Sequence, residues 1–138
     1  MVYLYHLVSE EHRNLTLANC KRILKSCGLL FTVFLSPFPV FNSGLDAIIT
    51  YTHFQGFNVP QFRCMTCDAK KIMKSNGFET LRIHNIEGIA SFIPTDTISE
   101  IITPDKKSDF LNRLRKTSEV ERRLGITSQY IVISRRIQ

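Results

Sequence analysis

An apolar run from Leu29 to Leu35 most constrains the fold of this chain. Gly28 precedes it, and Ser36-Pro37-Phe38-Pro39 follows it. Seven residues that are apolar except for Thr32 predict a strand buried on both faces or nearly so. Proline cannot donate a hydrogen bond to a sheet, so the chain beyond Ser36 is expected to leave the sheet as an edge or a projecting arm.

Strand and helix patterns flank this run on both sides. Val2–Val8 predicts a short first strand, and Ser9 with two acids after it predicts a helix from Glu10 to Cys27 that Gly28 ends. Leu15, Ala18, Ile23 and Cys27 are expected to form its buried side. Beyond the prolines we expect a strand at 47–53, a loop at 54–61 and a third extended run at 62–66.

The second half predicts one helix and one strand. Thr103-Pro104 favours a helix start, and Gln129–Ser134 favours a final strand. Residues 75–102 fit neither and are interpreted as an insertion. The order βαββαβ predicts a ferredoxin-like α+β fold: a four-stranded antiparallel sheet, two helices on one face, and a long hairpin arm at 36–62.

The length and net charge of the chain limit the functions that it can have. The 138 residues suit a single domain, and 18 Lys and Arg against 12 acids leave a net charge of +6. This balance suits a polyanionic partner, either nucleic acid or an anionic membrane surface. No apolar run approaches the ~18 residues needed to span a membrane, and the first residues resemble no signal peptide.

Two groups of side chains are the candidate binding residues. A basic group is expected to bind RNA phosphates, unless it is simply a solvated face. An arm group is expected to contact partners or to pack in the core. The basic group is Arg13, Lys21, Arg22, Lys25, Lys70, Lys71 and Lys74; the arm group is Pro37, Phe38, Pro39, Phe41, His53, Phe54 and Phe57.

The four cysteines favour structural roles over metal binding. Cys20 and Cys27 lie two helical turns apart, and Cys64 and Cys67 form a CxxC without a second ligand pair at zinc-site spacing. Zinc binding and redox chemistry are the alternatives. We therefore expect no metal site and no cofactor.

Short motifs follow one order along the chain: Glu11-His12-Arg13, Gly28, Ser36-Pro37-Phe38-Pro39, His53, Phe62, Thr66, Pro104 and Tyr130–Ser134. In order and spacing they resemble small-subunit ribosomal protein S-ten, whose first helix opens with Asp-His-Arg and whose arm carries Gly-Pro-x-Pro. The nine residues from His53 to Phe62 match that family's spacing. Met65, Cys67 and Asp68-Ala69 depart from its basic strand.

The resemblance implies a non-enzymatic constituent of the small ribosomal subunit head. Its expected partners are small-subunit rRNA and neighbouring head proteins, with no membrane and no small-molecule substrate. The departures at residues 65–69 suggest a divergent member, such as one in a mitochondrial ribosome; a cytoplasmic or other organellar ribosome is the alternative location.

Two other functions stay open from the residues alone. One is a freestanding RNA-binding module of ferredoxin-like fold, although no aromatic RNA-recognition strand occurs. The other is a two-histidine phosphodiesterase that uses two of His6, His12, His53 and His84. None of these four has a hydroxyl residue two positions later, so the pattern disfavours that enzyme.

Overall fold

The structure, a computed structural model, describes residues 1–37, 49–86, 93, 97, 103–118 and 127–137. Six strands and three helices are assigned among them: β1 Val2–Tyr3, α1 Glu10–Ile23, β2 Leu29–Leu35, β3 Ile49–Phe54, β4 Phe57–Phe62, α2 Thr66–Ser75, β5 Phe78–Asn85, α3 Lys107–Ser118 and β6 Gln129–Arg136. A short 3₁₀ helix, Leu4–His6, follows β1.

The main sheet is mixed, so the predicted antiparallel ferredoxin-like sheet is wrong. Its order is β1-β2-β6-β5. β1 pairs parallel with β2, whereas β6 pairs antiparallel with both β2 and β5. β1, β2 and β5 therefore run in one direction. A helix lies between each strand and the next of these three, and such crossovers are the connections that parallel strands require.

α1 and α2 pack on one face of this sheet. Leu17 of α1 and Met73 of α2 belong to the same buried cluster as Phe34 of β2 and Tyr130 of β6. Thr32 Oγ1 also lies 3.7 Å from Met73 Sδ. Because strand side chains alternate, Leu30, Thr32 and Phe34 share this side, which we call the covered face.

α1 differs from its prediction in its end and in its buried side. It ends at Ile23, and Cys27 at a φ of +61° turns the chain into β2. Arg13 and Leu17 are buried, whereas Leu15 and Ile23 are exposed. The buried positions of α1 recur at helical spacing from Arg13. Because Arg13 is charged, a pattern built from apolar residues alone does not include it.

The chain between residues 62 and 85 also differs from the prediction. Residues 66–75, expected in part as strand, form α2. Residues 78–85 of the predicted insertion form β5, with Phe78 and Ile83 in the core. The pattern of Ala69, Ile72 and Met73 before Asn76-Gly77 is a helix signal that the sequence did contain.

β3 and β4 form a separate two-stranded antiparallel sheet. Gln55 and Gly56, with φ of +48° and +85°, make its tight turn. Part of the predicted loop at 54–61 is therefore strand β4. Residues 38–48 of the predicted arm lie outside the described residues, as do Phe38, Pro39 and Phe41. No helix in the described ranges is long and apolar enough to cross a membrane.

Candidate functional site

The three parallel strands end at one edge of the sheet, which we call the carboxyl edge. β1 ends at Tyr3, β2 at Leu35 and β5 at Asn85. In open sheets of parallel strands joined by helices, ligands bind outside the carboxyl ends of the strands. The residues that follow these three strand ends therefore form the candidate site.

An aromatic group with an imidazole follows β1. The rings of Tyr3 and Tyr5 meet edge to face at 5.9 Å, and the rings of Tyr5 and His6 lie 4.2 Å apart. Burial, with a smaller effect of Tyr3, raises the pKa of Tyr5. His6 is exposed. An exposed imidazole beside an aromatic surface can exchange protons with, or stack on, a bound molecule.

Arg13 holds the chain behind this group. Its Nη1 donates to the carbonyl oxygens of Leu7 at 2.8 Å and Val8 at 2.7 Å. Its guanidinium lies 3.7 Å from the ring centroid of Phe62. The side chain is only 7% exposed, and burial lowers its pKa. Arg13, predicted to bind RNA, is thus engaged inside the protein.

Arg63 fastens the hairpin to the end of β2. Its Nε donates to Thr50 Oγ1 at 2.6 Å, and its Nη1 donates to the Ser36 carbonyl at 2.8 Å. The Cys64 N–H donates to the Leu35 carbonyl at 3.0 Å. Burial lowers the pKa of Arg63. These bonds place the base of the hairpin at the carboxyl edge.

The hairpin presents aromatic side chains to solvent. Tyr51, Phe54 and Phe57 are exposed, Phe57 at 73%. His53 Nδ1 lies 3.2 Å from Asn58 Oδ1 across the two strands. An isolated hairpin is marginally stable, and exposed aromatic groups of this size are typical of binding surfaces. Of the predicted arm residues, His53, Phe54 and Phe57 lie here, and Pro37 is half-buried near its base.

Cys64 is buried under this edge and paired with Tyr130. Tyr130 Oη donates to the Cys64 carbonyl at 2.8 Å and lies 3.3 Å from its Sγ. Burial raises the pKa of the Cys64 thiol to about 11, so the thiolate that reactive cysteines need is suppressed. Cys67 is exposed in α2, and the described residues contain no cluster able to hold a metal ion.

The predicted basic residues separate into distinct places. Lys21, Arg22 and Lys74 meet at an open concavity of about 520 Å³ on the opposite edge of the sheet. Arg136, absent from the predicted set, also lines it. Lys71 bonds to Asp68 at 2.9 Å, whereas Lys25 and Lys70 are exposed outside this concavity.

The histidines do not form the pair that a phosphodiesterase needs within the described residues. His6 lies on the 3₁₀ helix, His12 on α1, His53 on the hairpin and His84 on β5. No histidine lines either described concavity, at α1 and α2. His6 follows the end of β1 and His84 is the penultimate residue of β5, so both lie near the carboxyl edge, but on opposite sides of the sheet.

Comparison with known proteins gives a likeness of fold. No protein-family model matches the chain, and no curated protein matches it in sequence. Among solved structures it is similar to a Listeria monocytogenes protein provisionally assigned as an S-adenosylmethionine dependent methyltransferase, with a TM-score of 0.56 and 11% identity. The match covers 98% of this chain and 58% of that one.

This likeness corrects the fold prediction and leaves the expectation of a non-enzymatic protein without support. The chain shares its architecture with part of a protein assigned as an enzyme, and it spans little more than half of that protein's length. At 11% identity the likeness extends to the fold alone.

Proposed function

We propose that this chain is part of an α/β domain of the methyltransferase type, and that its carboxyl edge faces the methyl acceptor. The observation that carries the proposal is the match of nearly the whole chain, with its order β1-β2-β6-β5, to 58% of the Listeria protein. Activity resides in sites rather than folds, so the proposal must also stand on the residues.

The exposure of apolar side chains on the sheet face opposite the two helices supports the proposal that further polypeptide completes the domain. Tyr3, Leu29 and Phe31 lie on this side, which we call the open face, and are 46%, 49% and 40% exposed. β1 pairs with β2 alone among the described strands. Sheets of parallel strands are normally covered on both faces. Further polypeptide beside β1 would cover these side chains and complete the sheet.

This chain does not offer the usual cradle for a nucleotide-like cofactor. Such sites place a glycine-rich turn after a strand, but the six glycines here are scattered, with no two closer than eleven residues. S-adenosylmethionine therefore does not fit this chain by itself. The proposal assigns its binding to the completing polypeptide, and assigns to this chain the aromatic group at Tyr5 and His6 with the adjoining hairpin.

The ribosomal function stays a prediction. Its sequence motifs are present, but the antiparallel ferredoxin-like sheet predicted alongside it is absent from the described residues. Of its seven RNA-binding residues, Arg13 is internal and Lys71 is paired with Asp68. Its decisive test is co-sedimentation with small ribosomal subunits, which the methyltransferase proposal does not expect.

One experiment separates these possibilities. The tagged chain is purified from its own cells, fractionated on a sucrose gradient, and tested for retention of tritiated S-adenosylmethionine on a filter. We expect retention in a light fraction in which a second polypeptide accompanies the chain. Retention without ribosomal subunits supports the proposal; co-sedimentation with subunits and no retention overturns it.

Two matched variants test the open face in the same assay. Phe31→Glu places a charge on the open face, whereas Leu15→Glu places one on an exposed site of α1. We expect Phe31→Glu to abolish both the companion polypeptide and cofactor retention, because a buried charge is costly. Leu15→Glu should keep both. Equal retention by the two variants contradicts the proposed covering of this face.

A further inference from the structure

The open concavity on the edge opposite the candidate site has a uniform chemical character. Its lining combines four cations with small or polar groups; we call it the basic concavity. Its residues are Ala18, Lys21, Arg22, Lys74, Ser75, Asn76, Gly77 and Arg136. None of the described residues that line it is acidic, and its volume of about 520 Å³ falls within the range of ligand sites.

The ends of α1 and α2 explain only part of this charge. Lys21 and Arg22 lie in the last turn of α1, and Lys74 lies in the last turn of α2. Each helix end carries roughly half a negative charge. Two such ends offset about one of the four cations, which leaves a substantial positive excess with no acidic counterion among the described lining residues.

The scaffold of the basic concavity is held by specific contacts. Asn76 Nδ2 donates to Asn14 Oδ1 at 3.0 Å, which joins the end of α2 to α1. Arg136 Nη1 donates to the Leu24 carbonyl. Gly77 has a φ of +81°, and a Cβ at this position would collide with the Lys21 side chain. The helix ends that carry Lys21, Arg22 and Lys74 are therefore fixed relative to each other before any ligand arrives, which lowers the entropic cost of binding.

We propose that the basic concavity binds the phosphodiester backbone of single-stranded nucleic acid. Phosphates are the anions that clustered Lys and Arg neutralise with release of counterions. The concavity lies between two helix ends and is small, which suits a flexible single strand that can bend into it better than a stiff duplex. A membrane surface fits less well, because the lining residues that the structure describes include no large apolar side chain to insert among lipids.

This site goes beyond the proposed function and is independent of it. It lies on the opposite edge from Tyr5 and His6 and uses residues of this chain alone. Binding can therefore be measured on the chain without any companion polypeptide, so failure here leaves the methyltransferase proposal intact, and the reverse also holds.

The test is fluorescence anisotropy with labelled 20-nucleotide oligo(U) and oligo(dT) between 50 and 200 mM salt. The variant Lys21→Glu with Lys74→Glu is compared with Lys107→Glu with Lys116→Glu, an equal charge change at exposed sites of α3. We expect the first to weaken binding of both probes at least tenfold and to reduce the salt slope by roughly 1.4, at ~0.7 for each lost phosphate contact. The α3 control should change affinity less than threefold.

Four outcomes overturn the proposal. Equal weakening by both double variants would show that only net charge matters. No binding of either probe at 50 mM salt would exclude a nucleic-acid site. Binding to phosphatidylserine vesicles that abolishes oligonucleotide binding would assign the surface to membranes. Circular dichroism checks whether the Lys21→Glu, Lys74→Glu variant folds. If it does not, the variant Lys21→Gln with Lys74→Gln should still weaken binding at least threefold, and unchanged binding by this variant overturns the proposal.

Discussion

The two faces of strand β2 are both mainly apolar but are buried to different extents. On the covered face, Leu30, Thr32 and Phe34 lie beneath α1 and α2 and are all buried. On the open face, Val33 and Leu35 are buried, whereas Leu29 and Phe31 are 49% and 40% exposed. Apolar content therefore does not predict which of these side chains are covered. The difference shows that the described residues cover one face of β2 and leave the first part of the other face partly exposed.

The largest expected effect comes from truncating one phenylalanine on each face. Phe34→Ala should lower the free energy of unfolding by about 3–5 kcal/mol, because it leaves a cavity in a packed core. Phe31→Ala should cost about 1–2 kcal/mol in the isolated chain, because much of its surface already meets water. Urea denaturation of both variants measures the difference.

The variants Phe34→Ala and Phe31→Ala also test whether a bound companion polypeptide covers the open face. If that polypeptide covers the open face, Phe31→Ala should approach the cost of Phe34→Ala in the complex. Equal costs already in the isolated chain would contradict the assignment of the two faces.

A smaller effect on the free energy of unfolding is expected at alkaline pH, and it arises from the buried thiol of Cys64. The folded protein keeps Cys64 protonated, with its pKa raised to about 11 by burial, while the unfolded thiol ionises near 9. This contribution to stability is complete below pH 9 and is lost as the pH rises through 11. The free energy of unfolding should fall by about 2–3 kcal/mol over that window.

Cys64→Ala is the control for this pH dependence. The variant should show a shallower decline in stability between pH 9 and 11, measured by urea denaturation at several pH values. Part of the decline should persist, because burial also raises the pKa of the neighbouring Tyr130. An unchanged profile in the variant would mean that Cys64 is not the titrating group.

The smallest of these effects concerns how α1 is held on the covered face. Arg13→Met removes two charged hydrogen bonds to the carbonyls of Leu7 and Val8 and the contact with Phe62. We expect a loss of about 2 kcal/mol in thermal or urea unfolding. Oligonucleotide affinity should stay within twofold. A stable variant with much weaker binding would restore Arg13 to the phosphate-binding set.

Local signals in the sequence located several elements. Leu29–Leu35 was predicted as a strand with the bounds that the structure has, and the helix start at Glu10 was also correct. The final strand was placed at Gln129. These elements are set by apolar runs, caps and turn residues that act over a few positions, so they can be inferred without knowledge of distant neighbours.

The missed elements depend on partners that are distant in sequence. β5 was mistaken for part of an insertion, although Phe78 and Ile83 pack in the core, because its partner β6 lies about fifty residues away. At the candidate site, Phe54 and Phe57 were predicted as exposed arm residues, whereas Tyr51 and Tyr5 were not predicted as site residues. The meeting of Lys21 and Lys74 with Arg136 joins three separate segments, so no spacing could predict it.

The apolar run at Leu29–Leu35 shows which features of a strand the sequence predicts and which it does not. The sequence by itself determined that this run is a strand, because an apolar run of this length favours burial in a sheet. The structure buries five of its seven residues and leaves Leu29 and Phe31 partly exposed. Only the tertiary structure decided that β2 pairs parallel with β1 and antiparallel with β6. Strand direction depends on how the connecting chain crosses the sheet, a non-local property that no residue in the strand specifies.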